Sequence, residues 1–212
     1  PVTVVYSDDK GENWTTCELD KIYTADYYYV KFFDSDNGVI VCGYAKSNDT
    51  NESSRIYSTS NGGESWDIVG SGPATNIIKG VVYVSSDVGF FCYDYVEGMD
   101  SNLYKTDDGG KTFAKVMLEE QELDSSAANP QGQETETKTD SGKNGADSSE
   151  QLRWGDVYKE ALTPVVDSTG IITIYLTQGK NAVYNDGKTA AKYQSSDKGS
   201  TWKYIGQVEI KD

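Results

Sequence analysis

Histidine is absent from the 212 residues, and arginine occurs only twice, as Arg55 and Arg153. Without an imidazole the chain has no Ser-His-Asp or Cys-His nucleophile system and no ordinary zinc site of its own. Basic side chains are few, 19 against 34 acidic ones, which leaves a net charge of −15. Nucleic acid is therefore excluded as a partner, because binding the phosphate backbone needs a positive footprint. Anionic membrane surfaces are disfavoured on the same ground. No apolar run approaches the roughly 18 residues of a membrane span, so no membrane insertion by this chain is expected. Cys17, Cys42 and Cys92 form no CxxC pair, and each sits in a strand-like run. They read as buried thiols acting as small hydrophobes, with a Cys42–Cys92 disulfide as the alternative. Asp34-Ser35-Asp36-Asn37-Gly38 approaches an EF-hand loop but puts its glycine at the fifth position instead of the sixth, so it reads as a hairpin turn. Neither a metal nor a cofactor is expected. Pro1 is preceded by no Met or signal sequence, from which a processed or truncated piece of a longer product is expected.

Among the apolar residues, Val and Ile number 29 against seven Leu, and 16 Tyr join them. These side chains fit a pleated, half-buried sheet, and the fold class expected is all-β. One pattern recurs four times: Ser7-Asp8-Asp9-Lys10-Gly11-Glu12-Asn13-Trp14, Thr59-Ser60-Asn61-Gly62-Gly63-Glu64-Ser65-Trp66, Thr106-Asp107-Asp108-Gly109-Gly110-Lys111-Thr112-Phe113 and Ser195-Ser196-Asp197-Lys198-Gly199-Ser200-Thr201-Trp202. Its chemistry is that of a turn between antiparallel strands. The Asp9, Asn61, Asp108 or Asp197 oxygen accepts backbone N–H groups of its own turn, and the Ser7, Thr59, Thr106 or Ser195 hydroxyl braces the other side. Gly11, Gly63, Gly110 and Gly199 supply a left-handed backbone angle. The closing Trp14, Trp66, Phe113 or Trp202 opens the next strand and is expected to bury its ring.

These octamers resemble the Asp-box, or BNR repeat, of sialidase-like β-propellers. The strand-turn-strand runs that precede them, as in Val30–Asp34 and Gly38–Gly43, are also similar to photosystem II assembly-factor and sortilin-like propellers. The resemblance implies blades of four antiparallel strands with the box in the turn between the third and fourth. The box glycines stand 52, 47 and 89 residues apart, and the first two intervals match one blade each. Residues 119–152 account for the third interval. They hold nine acidic and two basic side chains and few apolar ones, so they read as a disordered acidic insert.

Blades are thus expected over 1–118, with the first incomplete, and a last blade of the same domain over 153–212. In the second blade the strands fall at 28–33, 39–43, 55–58 and 65–69, and in the third at 81–84, 89–93, 102–105 and 112–116. The last blade has them at 162–166, 171–176, 191–194 and 201–205. Residues 3–6 already form a third strand. About three and a half blades are therefore present, which reads as part of a larger ring; a minimal four-bladed ring closed by Val208–Ile210 is the alternative.

A sialidase site, as the resemblance implies it, needs three convergent arginines, and two cannot form that clamp. Catalysis by paired carboxylates, with Asp34, Asp36, Asp87, Asp156 and Glu160 near strand ends, competes with the simpler account of solvated turn carboxylates. The function expected is a non-catalytic, extracytoplasmic, secreted or cell-surface bacterial binding propeller for a protein or a glycan, with further blades of the same polypeptide as possible partners. The alternative is a fragment of a glycoside hydrolase whose catalytic groups lie partly outside this chain. Any ligand is expected at the end of the sheets away from the octamers, where loops supply Tyr27, Tyr44, Tyr95, Trp154, Tyr158 and Tyr184. Trp154 has two readings, a ring packed over the last blade's first strand and an exposed platform for a glycan or peptide.

Overall fold

A computed structural model describes residues 1–22, 24–44, 54–74, 76–123, 153–179 and 184–210. Four consecutive antiparallel sheets follow one another along the chain. The first has two strands, β1 (Thr3–Tyr6) and β2 (Thr15–Glu18). The second is a meander of β3 (Tyr27–Phe32), β4 (Gly38–Gly43), β5 (Ser54–Thr59) and β6 (Asp67–Ser71). The third repeats it with β7 (Ile78–Tyr83), β8 (Gly89–Tyr93), β9 (Leu103–Thr106) and β10 (Ala114–Lys115).

In the fourth, the first strand is broken into β11 (Glu160–Ala161) and β12 (Val165–Val166), both paired with β13 (Ile172–Thr177). Pro164 lies in the break, where it has no N–H for the ladder. β14 (Thr189–Ser195) and β15 (Lys203–Glu209) complete that sheet. The described residues are thus nearly all-β, four antiparallel sheets arranged as the propeller reading expects, of which the first has two strands.

Burial shows how the sheets stand. Every residue of β4 and of β8 is buried, so these strands are covered on both faces by neighbouring sheets. Leu19, Ile22, Ile40, Cys42, Tyr57 and Trp66 fill the space between the first and second sheets. Val39, Val41, Ile56, Ile78, Val81, Tyr83, Phe91 and Tyr93 fill the next. Phe90, Cys92, Leu103, Ala161, Ile172 and Ile174 fill the third. Each large side chain so buried contributes about 1.5–3 kcal/mol, and these interfaces, not the ladders alone, hold the sheets upright.

Two expectations are corrected here. Cys42 and Cys92 belong to different interfaces and are free thiols, both pushed up to about 11 by burial, so the disulfide alternative falls. Trp14 is exposed, unlike Trp66, because the sheet that carries it has only its two outer strands. Of the expected insert, 124–152 lies outside the described residues. Its first residues are packed: Glu119 O accepts the Tyr193 hydroxyl at 2.7 Å, and Leu123 is half-buried against Trp154 and its neighbours.

A feature the octamer reading misses is a bulge four residues past the ring. Ladder register shifts between Ile56 and Tyr57 opposite Gly70, and between Lys192 and Tyr193 opposite Gly206. Trp66 to Gly70 and Trp202 to Gly206 are the same interval, which the first and third octamers, with Glu18 and Met117 at that place, do not share. Gly70 lets β6 approach the next sheet's turn: a Cβ there would lie 2.9 Å from Gly110 O.

Candidate functional site

One end of the sheets is closed by its own hydrogen bonds. In the third octamer the Thr106 hydroxyl donates to Asp108 Oδ1 (2.8 Å) and accepts the Gly110 N–H (2.8 Å). Asp108 Oδ1 accepts the Lys111 and Thr112 N–H groups, and its Oδ2 accepts the Thr112 hydroxyl at 2.6 Å. Ser7 and Asp9, Thr59 and Asn61, and Ser195 and Asp197 repeat the arrangement with Gly11, Gly63 and Gly199. These hydrogen bonds, led by those from Asn13, hold Asp9 at about 2. Asp108 and Asp197 lie well below the ordinary carboxylate range, chiefly through the Thr112 and Thr201 hydroxyls.

The hairpin turns sit at the same end. Gly62 N–H donates to Asp36 O and Gly109 N–H to Asp87 O. Asp34 Oδ1 accepts the Asp36 and Asn37 N–H groups, the hydrogen bonding of a hairpin turn. Among the described residues no three His, Cys, Asp or Glu side chains gather as a metal site. Asp9, Asp34, Asp108 and Asp197 serve the turns of this end.

The opposite end is open. There a cleft of about 410 Å³ lies between the third and fourth sheets, formed by residues from 95–101, 116–120 and 153–159 together with Leu176. Each segment is held by the fold below it. Met99 N–H donates to Val96 O and closes the 95–101 loop, and Asp94 N–H donates to Ile77 O at its root. The 153–159 segment contains one helical turn, α1 (Trp154–Val157). Trp154, Val157, Tyr158, Tyr184, Ala191 and Tyr193 pack beneath it. Trp154 lies 4.6 Å from Tyr158 and 5.3 Å from Tyr204 between ring centroids. Tyr158 Oη shares a hydrogen bond with Thr189 Oγ1 at 2.8 Å.

Ion pairs rim the cleft. Lys159 meets Glu97 at 2.8 Å, Arg153 Nε meets Asp156 at 2.9 Å, and Lys115 meets Asp100 at 2.9 Å. Arg153 holds Asp156, and Lys115 holds Asp100, below the usual carboxylate range. Burial pushes the Tyr95 phenol up. Met99 and Met117, the only two methionines of the chain, both line this cleft, and Met117 is exposed. The lining is more polar than apolar, with the two thioethers set inside a rim of both charges.

No family model matches the chain, and none of the curated proteins does. Among solved structures, it is similar to the GH74 enzyme of Niastella koreensis, at 17% identity over 95% of this chain and 25% of that one, with a TM-score of 0.45. It is also similar to YCF48 bound to D1 peptide, at 14% identity over 95% of this chain and 75% of that one, with a TM-score of 0.37. The chain thus spans a quarter of the length of the GH74 enzyme.

Of the six aromatic residues expected to face a ligand, Tyr95, Trp154 and Tyr158 do line the cleft. Trp154, Tyr158 and Tyr184 are buried, so the expectation of open stacking rings is corrected for them: they are the cleft's support. Trp154 is packed, not an exposed platform, but it lies against Tyr158, Tyr184, Tyr193 and Tyr204 and not over the last sheet's first strand, as the packed reading had it. Tyr27 lies elsewhere; its Oη accepts the Val81 N–H at 2.9 Å and ties the second sheet to the third. Tyr44 is half-buried against the interface of the first two sheets. Glu97, Met99, Asp100, Met117, Glu120 and Lys159 are cleft residues that the search for aromatic rings passes over. The signal was the coincidence of two rare methionines in loops at one end of the sheets.

Proposed function

We propose that the chain is a non-catalytic recognition segment of an Asp-box propeller, and that its cleft takes an extended peptide segment of a partner protein. The observation that carries this reading is the pairing of Met99 and Met117 in one cleft with Tyr95. Unbranched thioether side chains adapt to varied apolar partners and recur at peptide-binding surfaces. A glycan is the weaker fit, since sugar stacking needs an open ring face and the Trp154, Tyr158 and Tyr184 faces are covered.

The test is to screen the intact chain against a phage-displayed random peptide library and against a glycan array. Peptides with an apolar anchor flanked by charges are expected from the first. Met99→Ser combined with Met117→Ser should weaken a selected peptide by about tenfold or more, which corresponds to roughly 1.4 kcal/mol. The melting temperature should stay unchanged in Met117→Ser alone, which leaves the Asn76 and Val96 hydrogen bonds to Met99 Sδ in place. Array binding that is lost in Tyr95→Ala, with no peptide enriched, turns the reading to a glycan.

A further inference from the structure

The cations at the rim of the cleft are all taken. Arg153 engages both oxygens of Asp156, at 2.9 and 3.2 Å, Lys159 is held by Glu97, and Lys115 is held by Asp100. Glu120 also lines the cleft and is left over: it forms no ion pair with any of the described residues. Glu119 and Glu122 stand exposed beside it and are likewise unpaired among the described residues. The surplus of charge at this cleft is therefore negative, and it is concentrated on the 119–122 segment.

That segment is placed by the fold. Glu119 O accepts the Tyr193 hydroxyl, which pins the backbone just ahead of Glu120. The Glu120 carboxylate then rests against the backbone of Gly155 in α1, where a Cβ would lie 2.5 Å from its Oε1. It thus stands on the cleft side of the packed Trp154 and Tyr158 rings.

The walls near it suit an alkyl stem. Met117 is 63% exposed, and Met99 is set by its Sδ, which accepts Asn76 Nδ2 at 3.3 Å and the Val96 N–H at 3.4 Å. Tyr95 is half-buried on the same side of the cleft as Met99. A side chain that is apolar along its length and cationic at its tip satisfies both features at once.

We infer that the cleft reads an arginine of the bound peptide, with its guanidinium on Glu120 and its stem along Met99 and Met117. This rests on the peptide reading of the cleft and specifies the residue read. A guanidinium presents a planar fork that matches a carboxylate, and its weakly hydrated face lies well on thioether and phenol surfaces. A lysine ammonium is more strongly hydrated and offers no such fork. Acidic side chains are repelled by Glu119, Glu120 and Glu122, on a chain whose net charge is already −15.

The test selects phage-displayed random heptapeptides in parallel on the intact chain and on its Glu120→Gln variant. Arginine should be enriched on the native chain and lose its enrichment on the variant. A selected peptide is then synthesised with arginine, lysine or citrulline, the neutral isostere of arginine, at the enriched position. On the native chain the citrulline peptide should bind about tenfold more weakly than the arginine peptide, as loss of a charge-assisted hydrogen bond implies, with lysine between them. This arm needs no variant protein. On Glu120→Gln the arginine and citrulline peptides should bind alike. Glu64→Gln, which removes a charge at the octamer end, should leave the preference for arginine as it was. Added salt should weaken the arginine peptide more than the citrulline one. Selected peptides that lack arginine, or an arginine peptide that binds native chain and Glu120→Gln equally, overturn the inference and leave the peptide reading standing. Acidic peptides seated on Arg153 and Lys159 overturn it in the same way. Enrichment of no peptide at all overturns both.

Discussion

Asp108 accepts four hydrogen bonds within a span of seven residues, from the Thr106 and Thr112 hydroxyls and from the Lys111 and Thr112 N–H groups. A carboxylate so surrounded is stabilised in its charged form. Its folded pKa is depressed, so the stabilisation is complete above the ordinary value near 4 and is lost as pH falls through the lower folded value. Asp9, held at about 2, and Asp197 behave alike. The second octamer has Asn61 instead, whose Oδ1 accepts the Ser65 N–H at 3.1 Å while Nδ2 donates to Ser65 Oγ. An amide thus builds the same turn without a titrating group. The triple variant Asp9→Asn, Asp108→Asn and Asp197→Asn is expected to keep its Tm at pH 7 to within about 3 °C. Between about pH 4 and 2 its Tm should fall less steeply than that of the native chain. Thermal melts across that range check the sign, and equal slopes would show that other carboxylates govern acid sensitivity.

At the scale of the element, the doubly covered strands follow short continuous apolar runs and the octamers follow turn chemistry, which is why Gly89–Tyr93 was legible to the residue and why residues 39–43 fall inside β4. Elements that depend on neighbours were not. α1 is four residues long, too short for periodicity, and it forms where Trp154 and Tyr158 find Tyr184 and Tyr204. The split of β11 from β12 follows from Pro164, a local rule that was open to view. The purpose of the bulge opposite Gly70 is not local: Gly70 makes room for Gly110 O of the next sheet. Gly70→Ala puts a Cβ against backbone that no rotamer change relieves. A loss of about 1–3 kcal/mol is expected, the usual cost of overpacking. Urea melts measure it, and a loss below about 0.5 kcal/mol, the scale of an ordinary surface change, would mean that β6 and the turn separate freely.

In the whole molecule, four nearly identical octamers occupy unlike surroundings, and this is what reading the repeat by itself misses. The cleft arises only where loops of the third and fourth sheets and the 116–120 segment converge, so Tyr95 and Trp154 could be placed in loops but Met99 and Met117 could not be brought together from spacing. Octamer rings differ for the same reason. Trp66 is buried against Phe32, Trp202 is half-buried against Phe90, and Trp14 projects from a sheet without its inner strands. Trp66→Ala is expected to cost about 3–5 kcal/mol, as deletion of a buried large aromatic does. Trp14→Ala should fall within about 0.5 kcal/mol of the native chain, as exposed positions do. Trp202→Ala should lie between them. Denaturant melts of the three single variants decide whether the sheets or the octamers set the stability of each unit. Equal losses at all three positions would mean that the ring stabilises its own turn wherever it stands, and the inter-sheet packing of Trp66 would lose its claim.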